Sequence, residues 1–225
     1  MHRRTAKLKE TLDRFNQIRA SQGLYPALVR LAQTVTQWLF FRGDCFLVAC
    51  SLQEPAPIVQ PVNGLILKQV QLGDLDLLTT MKTSSDTLWH KMLLERERFC
   101  AVALRDEQPV AYGWFTPKVD PRVERTYVPL SRDEIFIFDL FTRPAFRRQG
   151  IQSALLRHIL ELGQEKGYKR ALSLIAVNNT PSLNLHEKLG FRTICRFTKI
   201  RVLGWVRFSF RPNPFGKAGN LIRWL

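Results

Sequence analysis

The sequence predicts an α/β fold, of the α+β kind, with a parallel pair of strands inside a mixed sheet, and three observations predict it. Glu134 to Thr142 is apolar on both faces apart from Asp139, as a central strand covered by helices above and below should be. The basic turn Arg147-Arg148-Gln149-Gly150-Ile151-Gln152 follows, and then a helical period in which Ile151, Leu155, Ile159 and Leu162 share one side until Gly167 closes it. A second unit of the same kind comes next: a buried strand over Ala171 to Val177, then a short helix opened by Thr180-Pro181, with a capping hydroxyl and proline at the first position, and ended at Gly190. Two consecutive strand-to-helix units place their strands parallel. The turn between them aims several backbone N–H groups at one point beside a helix N-terminus, which suits a phosphate.

Ahead of this centre, residues 5 to 20 put Leu8, Leu12, Phe15 and Ile18 near one helical face, and Gly23 stops the pattern. Pro26 starts a second helix whose stripe is Leu28, Leu31, Val35 and Leu39. This helical arm is expected to pack on the body of the protein or on a second copy. A basic helix followed by Trp38-Leu39-Phe40-Phe41 also suits an anionic membrane surface, or a carrier protein or acyl chain. Asp44 to Leu52 reads as a strand, and the prolines at 55, 57 and 61 mark a boundary.

The expected organisation is therefore an arm and strand over residues 1–60, the main domain over 61–211 and a tail over 212–225. Within the main domain, Leu65 to Val70 is the first strand, Gly73-Asp74 opens a helix carrying Leu75, Leu78 and Met81, and Asp86 to Glu97 is a further helix. Phe99 to Leu104 and Pro109 to Phe115 form a hairpin around Arg105-Asp106-Glu107-Gln108. Thr116 to Asp133 is a long surface loop with three prolines, a length that tends to be functional or mobile. Phe191 to Phe210 reads as two closing strands with no acidic residue after Glu187.

With 225 residues, 45% of them hydrophobic, the chain can bury a sizeable core. Its formal net charge of +15 favours an acidic partner: nucleic acid, anionic lipid, a phosphorylated cofactor or an acidic carrier protein. Cys45, Cys50, Cys100 and Cys195 lack metal-ligand spacing, so no metal site is expected, and they read as buried thiols of a reducing cytoplasm. Neither a secretory signal nor a bilayer span is expected, so the location is cytoplasmic, with peripheral membrane contact through the arm as the variant.

The turn, together with Asn179, Ser182, Leu185-His186-Glu187-Lys188 and Leu189-Gly190-Phe191, resembles the two signatures of the GNAT superfamily of acetyl-CoA-dependent N-acyltransferases. The resemblance covers roughly residues 62 to 200. In that family the turn is Arg or Gln, two residues, Gly, one residue, then Gly or Ala; Arg147 and Gly150 match, and Gln152 replaces the small residue. His186 stands where the family usually has tyrosine, as in relatives resembling the phosphinothricin acetyltransferases.

The resemblance implies a mixed, mostly antiparallel sheet flanked by helices, with its central parallel pair splayed for CoA. It implies that the backbone of Leu140, Phe141 and Thr142 pairs with the pantetheine arm, that the amides from Arg147, Arg148 and Gln149 through Gly150, Ile151 and Gln152 cradle the pyrophosphate, and that Asn179 and Ser182 line the cofactor. The family's tyrosine is thought to protonate the departing thiolate, and a histidine near its ordinary pKa could do the same or lie idle beside the cofactor. Glu134 and Asp139 are the candidate bases for the amine, against readings as an edge residue and a buried structural acid.

The implied activity is direct transfer of an acyl group in a ternary complex, from acetyl-CoA, another acyl-CoA or an acyl carrier protein thioester, to a small-molecule amine or amino acid. A homodimer through the arm is compatible with it. The competing readings are a catalytically silent CoA-sensing or interaction module, which Gln152 and His186 allow, and a basic nucleic-acid- or ribosome-associated protein, with nucleic acid the less favoured partner.

Overall fold

The computed structural model describes residues 16–17, 19–21, 23–55, 57–58, 60–81, 84–121, 123–124, 126, 128–202 and 205–212, so most of the helix expected over 5–20, and the tail beyond Pro212, lie outside the described residues. The elements in chain order are α1 (Leu24–Leu39), β1 (Phe40–Ser51), β2 (Leu65–Val70), α2 (Leu75–Thr79), α3 (Ser84–Glu95), β3 (Phe99–Arg105), β4 (Gln108–Thr116), β5 (Glu134–Thr142), α4 (Ile151–Glu165), β6 (Arg170–Ala176), α5 (Thr180–Lys188), β7 (Arg192–Val202) and β8 (Trp205–Pro212). By packing, the chain forms two compact units. Among the described residues, one holds those up to Asp44 with those of Thr198–Ser209, and the other holds those of Cys45–Phe197 with Phe210–Pro212. The division by packing falls within β1.

In the smaller unit, α1 leaves Leu24, Tyr25, Leu28 and Val29 exposed. Thr198 donates its hydroxyl proton to Asp44 Oδ1 at 2.6 Å, and Arg42 lies 3.8 Å from the same carboxylate.

The larger unit is a mixed sheet in the order β2-β3-β4-β5-β6-β1-β7. Pairing is antiparallel between β2 and β3, β3 and β4, β4 and β5, and β1 and β6; β5 and β6 are parallel. The β3–β4 hairpin is tighter than the four-residue turn expected, because Arg105 pairs with Gln108 and only Asp106 and Glu107 form the loop. Both have positive φ, 50° and 62°, which matches the right-handed twist of the strands.

The first strand of the chain sits between β6 and β7, with Cys45–Ser51 in register with Ala176–Arg170. Its side chains Val48 and Cys50, with Leu52 just after the strand, share one core with Ile135, Ile137 and the α4 residues Ile151, Leu155 and Ile159. β2 lies at the opposite edge, so the proline-rich segment 52–64 has to cross the face covered by α4. It starts at Leu52, whose amide donates to Lys169 O at 2.8 Å, and it brings Pro57 against Gly190 and Val62 against Gly150. A hollow of about 140 Å³ lies beneath this crossing, between Leu52, Pro57, Leu160 and Gly190.

α4 packs closely on β4 at Gly113. A Cβ there would lie 2.7 Å from Ile159 Cδ1 and would overlap Leu140, so a larger residue would force the ends of both side chains to shift. The other face of the sheet is covered by α2 and α3, with Val70, Leu78, Leu93, Tyr112 and Trp114 in a second core. The loop between β4 and β5 is tied down, with Val123 and Val128 buried. Arg98 Nε donates to Glu124 Oε1 at 3.0 Å, with the glutamate side chain fully buried, and Glu124 Oε2 accepts the Asp120 amide at 2.6 Å.

Removing one partner of such a pair leaves the other charge buried and uncompensated. Arg98→Ala should therefore destabilise the protein by roughly 3–5 kcal/mol, read from denaturant unfolding midpoints at unchanged slope. A loss under about 1 kcal/mol would show that the pair is a surface one.

Candidate functional site

β5 and β6 pair from Glu134↔Arg170 to Ile137↔Ser173 and no further, although β5 continues to Thr142 and β6 to Ala176. Ser173 closes the paired part by donating its hydroxyl to Ile137 O at 3.1 Å. Beyond this point β5 keeps its neighbour β4 on one side only. The register shows why it leaves β6: Trp114 faces Phe138 and Tyr112 faces Phe141, so two steps on β4 meet three on β5. The extra residue is a bulge, and Asp139 takes the left-handed conformation within it, with φ 47°. A bulge bends its strand, and the β6-side edge of β5 beyond Ile137, which no strand covers, is then open to a ligand that carries amides.

After β5, Pro144–Phe146 makes one tight turn and the chain enters α4. Arg148 at φ 63° and Gly150 at φ 76° are both left-handed, and such turns make their successive amides converge. Gly150 is the N-cap of α4 and has no side chain to occupy the free amides of the first turn. Arg147 through Gly150 are exposed. The turn is braced from behind: Arg147 Nε donates to Thr142 O at 3.2 Å, Arg105 to Gln149 Oε1 at 2.6 Å, and Gln149 Nε2 to Ala145 O at 3.2 Å. Gln152 turns its side chain towards the strand end, where its Oε1 accepts the Thr142 hydroxyl and its Nε2 is buried without a hydrogen-bond partner. These features fit a pyrophosphate at the turn and an amide chain along β5.

The candidate acids and bases separate clearly. Asp139 is exposed on the bulge and accepts the Tyr112 hydroxyl at 3.3 Å. It is therefore not a buried structural acid. Glu134 is at the other end of β5, five residues or about 16 Å away. It is buried, holds Arg170 Nη1 at 3.0 Å and accepts the Ser131 amide at 2.9 Å, so it fixes the start of the strand and is not brought to the splay.

His186 differs from the expectation of an ordinary histidine. It is 1% exposed, and burial pushes its pKa down to about 4, although the Ser182 carbonyl opposes this. Nδ1–H donates to that carbonyl at 2.8 Å, and the ring stands edge-on to Phe191 at 4.8 Å. A neutral ring with its one proton already engaged is no proton donor at neutral pH. Asn179 caps α5 by accepting the Ser182 amide at 3.3 Å, a role expected of the Thr180 hydroxyl. Asn179 and Ser182 thus serve α5 first, and through it the wall beside β6.

Cysteine chemistry is disfavoured, because burial pushes the Cys50 thiol up to about 12 and raises Cys100 and Cys195 as well. Among the described residues no cluster of His, Cys, Asp or Glu could hold a metal ion, and no helix is long and apolar enough to cross a membrane. Sequence reasoning missed Tyr112, whose neighbours are visible only in the β4–β5 register.

Comparison with known proteins agrees with this geometry. The model of the acetyltransferase (GNAT) family matches residues 74–191. The chain is 26% identical over 147 residues to human N-acetyltransferase 8, covering 63% of this chain and 61% of that protein. It is 27% identical over 78 residues to the probable N-acetyltransferase family 8 member 5 of mouse, covering 35% of this chain and 34% of that protein. It is also 32% identical over 71 residues to phosphinothricin N-acetyltransferase of Streptomyces viridochromogenes, covering 31% and 39%. The chain therefore spans between about a third and three fifths of the length of these curated relatives. Among solved structures, a Drosophila protein superposes with a TM-score of 0.55 at 13% identity, over 81% of this chain and 58% of that one. A glucosamine N-acetyltransferase region of a fungal multi-domain β-N-acetylglucosaminidase gives 0.55 at 11% identity, over 75% and 22%. Both likenesses concern the fold.

His186 generates a pH signature. Its folded pKa of about 4 lies below the ordinary histidine value of 6.5, so below about pH 6.5 the unfolded chain binds a proton that the fold excludes, and stability falls with pH down to about 4. Between about pH 7 and pH 4.5 this one group should cost roughly 2.5 kcal/mol. His186→Phe should lack that share of the acid sensitivity in urea unfolding, and an unchanged pH slope would mean that the ring is not held neutral.

Proposed function

The chain belongs to the GNAT acetyltransferase family, and from that footing we propose that it is an N-acyltransferase that moves an acyl group, acetyl in the first instance, from a CoA thioester to a primary amine. The observation that carries this reading is the coincidence of two features at one end of β5. The strand loses its parallel neighbour after Ile137, and the left-handed Gly150 turn stands eight residues beyond the Thr142 end of that strand.

When bound, the thioester supplies an activated acyl carbon: the amine nitrogen attacks it, the C–S bond breaks, and the products are an amide and the CoA thiol. The residues of the chain hold and orient. First-turn amides of α4 and the amides at Arg148 and Gly150 meet the pyrophosphate charge, and a +15 chain favours the phosphates from a distance. A backbone N–H at the end of the paired strands meets the developing oxyanion. Asp139, fixed by Tyr112, takes the ammonium proton directly or through a water. With His186 neutral, the thiolate leaves without an acid from α5 and is protonated by solvent or by the proton held at Asp139. The acyl donor can also be a longer acyl-CoA or an acyl carrier protein, and the four free cysteines suit the cytoplasm.

Gly150→Val forces a β-branched residue into a left-handed conformation beside Val62, and should raise the CoA Kd at least about tenfold by calorimetry. Asp139→Asn should lower kcat for CoA-thiol release by about 10²–10⁴-fold and leave the CoA Kd within about twofold. The reading is overturned if the wild-type chain binds no CoA, or binds it and releases no thiol across a broad amine panel.

A further inference from the structure

The face of the bulge turned towards α2 and α3 carries a second feature that acyl transfer as such does not need. In a regular strand Phe138 and Phe141, three residues apart, would point to opposite faces. The extra residue in β5 brings both to the same face, with Asp139 between them. Phe141 stacks on Tyr112 with ring centroids 5.6 Å apart, and Phe138 stacks on Trp114 at 6.4 Å. Phe138 and Phe141 are only half-buried, Asp139 is exposed, and Trp89 and Met92 of α3 pack on the same cluster. An exposed carboxylate is therefore framed by apolar ring surface that the protein itself leaves partly uncovered.

Resting on the acyltransfer reading above, we propose that the acceptor is a monoamine with an aromatic or branched apolar body, its ammonium held at Asp139 and its body laid on Phe138 and Phe141, with the Tyr112 hydroxyl orienting the carboxylate. Three physical terms select this class. The carboxylate pairs with one ammonium and then accepts its proton. The ring faces attract a cation and cover apolar surface beside it. A net charge of +15 acts against acceptors that carry several positive charges, whereas a monocation meets the smallest repulsion. A polar amine of similar size would leave the half-buried rings uncovered and its own hydroxyls without partners.

The test uses the full chain with acetyl-CoA and reads thiol release against 2-phenylethylamine, isopentylamine, ethanolamine and a polycationic aminoglycoside. The expected kcat/KM for the first two exceeds that for ethanolamine by at least about tenfold, the scale of a buried apolar group in an enzyme pocket. Phe141→Leu, which retains most of the packing, narrows the preference for 2-phenylethylamine over ethanolamine by about tenfold. Equal kcat/KM values, or a preference for ethanolamine or the aminoglycoside, overturn the proposal and leave acyl transfer standing. If no amine gives thiol release, the acyltransfer reading fails, and the amine site is read by saturation-transfer binding to the protein with CoA present. There, 2-phenylethylamine binding no tighter than ethanolamine overturns the proposal as well.

Discussion

β5 pairs with β6 over Glu134 to Ile137 and with β4 from Phe136 to Thr142, so it has a strand on each side at Phe136 and Ile137 and on the β4 side only from Phe138 onward. Backbone groups that lose a partner in the middle of a sheet must find another, and a ligand with its own amides is one. The bulge at Asp139 enforces the separation. Its left-handed φ costs on the order of 1 kcal/mol or more, which a sheet retains only where the surroundings over-determine it. Here the surroundings are the Tyr112 hydroxyl on one face and the close contact of Leu140 with Gly113 on the other. The same irregularity thus opens the sheet towards α4 and presents a carboxylate towards α2 and α3.

The rest of the larger unit keeps that opening rigid. α4 is seated on β4 through Gly113, so the turn at its N-terminus has a fixed position relative to the end of β5. The contacts of Arg147 and Gln152 with Thr142 link strand end and helix start directly. β1 completes the sheet between β6 and β7, and the segment after it crosses α4 to reach β2 at the far edge. On its way it places Val62 at Gly150, so the lead-in to β2 borders the anion turn. Buried polar groups brace the periphery: Glu134 with Arg170 at the start of β5, Arg98 with Glu124 under the long loop, and His186 with the Ser182 carbonyl in α5.

The features that were legible in the sequence are those set by local rules. β5, α4 and β6 follow from apolar runs and helical period, and the anion turn follows from the basic, glycine-containing stretch Arg147 to Gln152 between strand and helix. What could not be read depends on partners far along the chain. Glu134 looked free to act as a base because Arg170 lies 36 residues away in sequence. His186 looked titratable because its burial against Phe191 is a property of the packed α5. Asp139 gave no sign of a bulge, since that requires the register of β4 against β5, and the place of β1 between β6 and β7 is a matter of sheet order alone. Even the cap of α5 moved by one residue, from Thr180 to Asn179, whose side chain accepts the Ser182 amide.

The central claim is that one ligand occupies both the edge of β5 that β6 leaves and the amides of the Gly150 turn. Amide hydrogen exchange of the full chain with and without CoA tests it most directly, because the backbone is both the site and the probe. The account predicts slowed exchange over residues 138–142 and 148–153, with little change in the β2–β3 pairing. Measurable CoA binding with no added protection in those two stretches would contradict it.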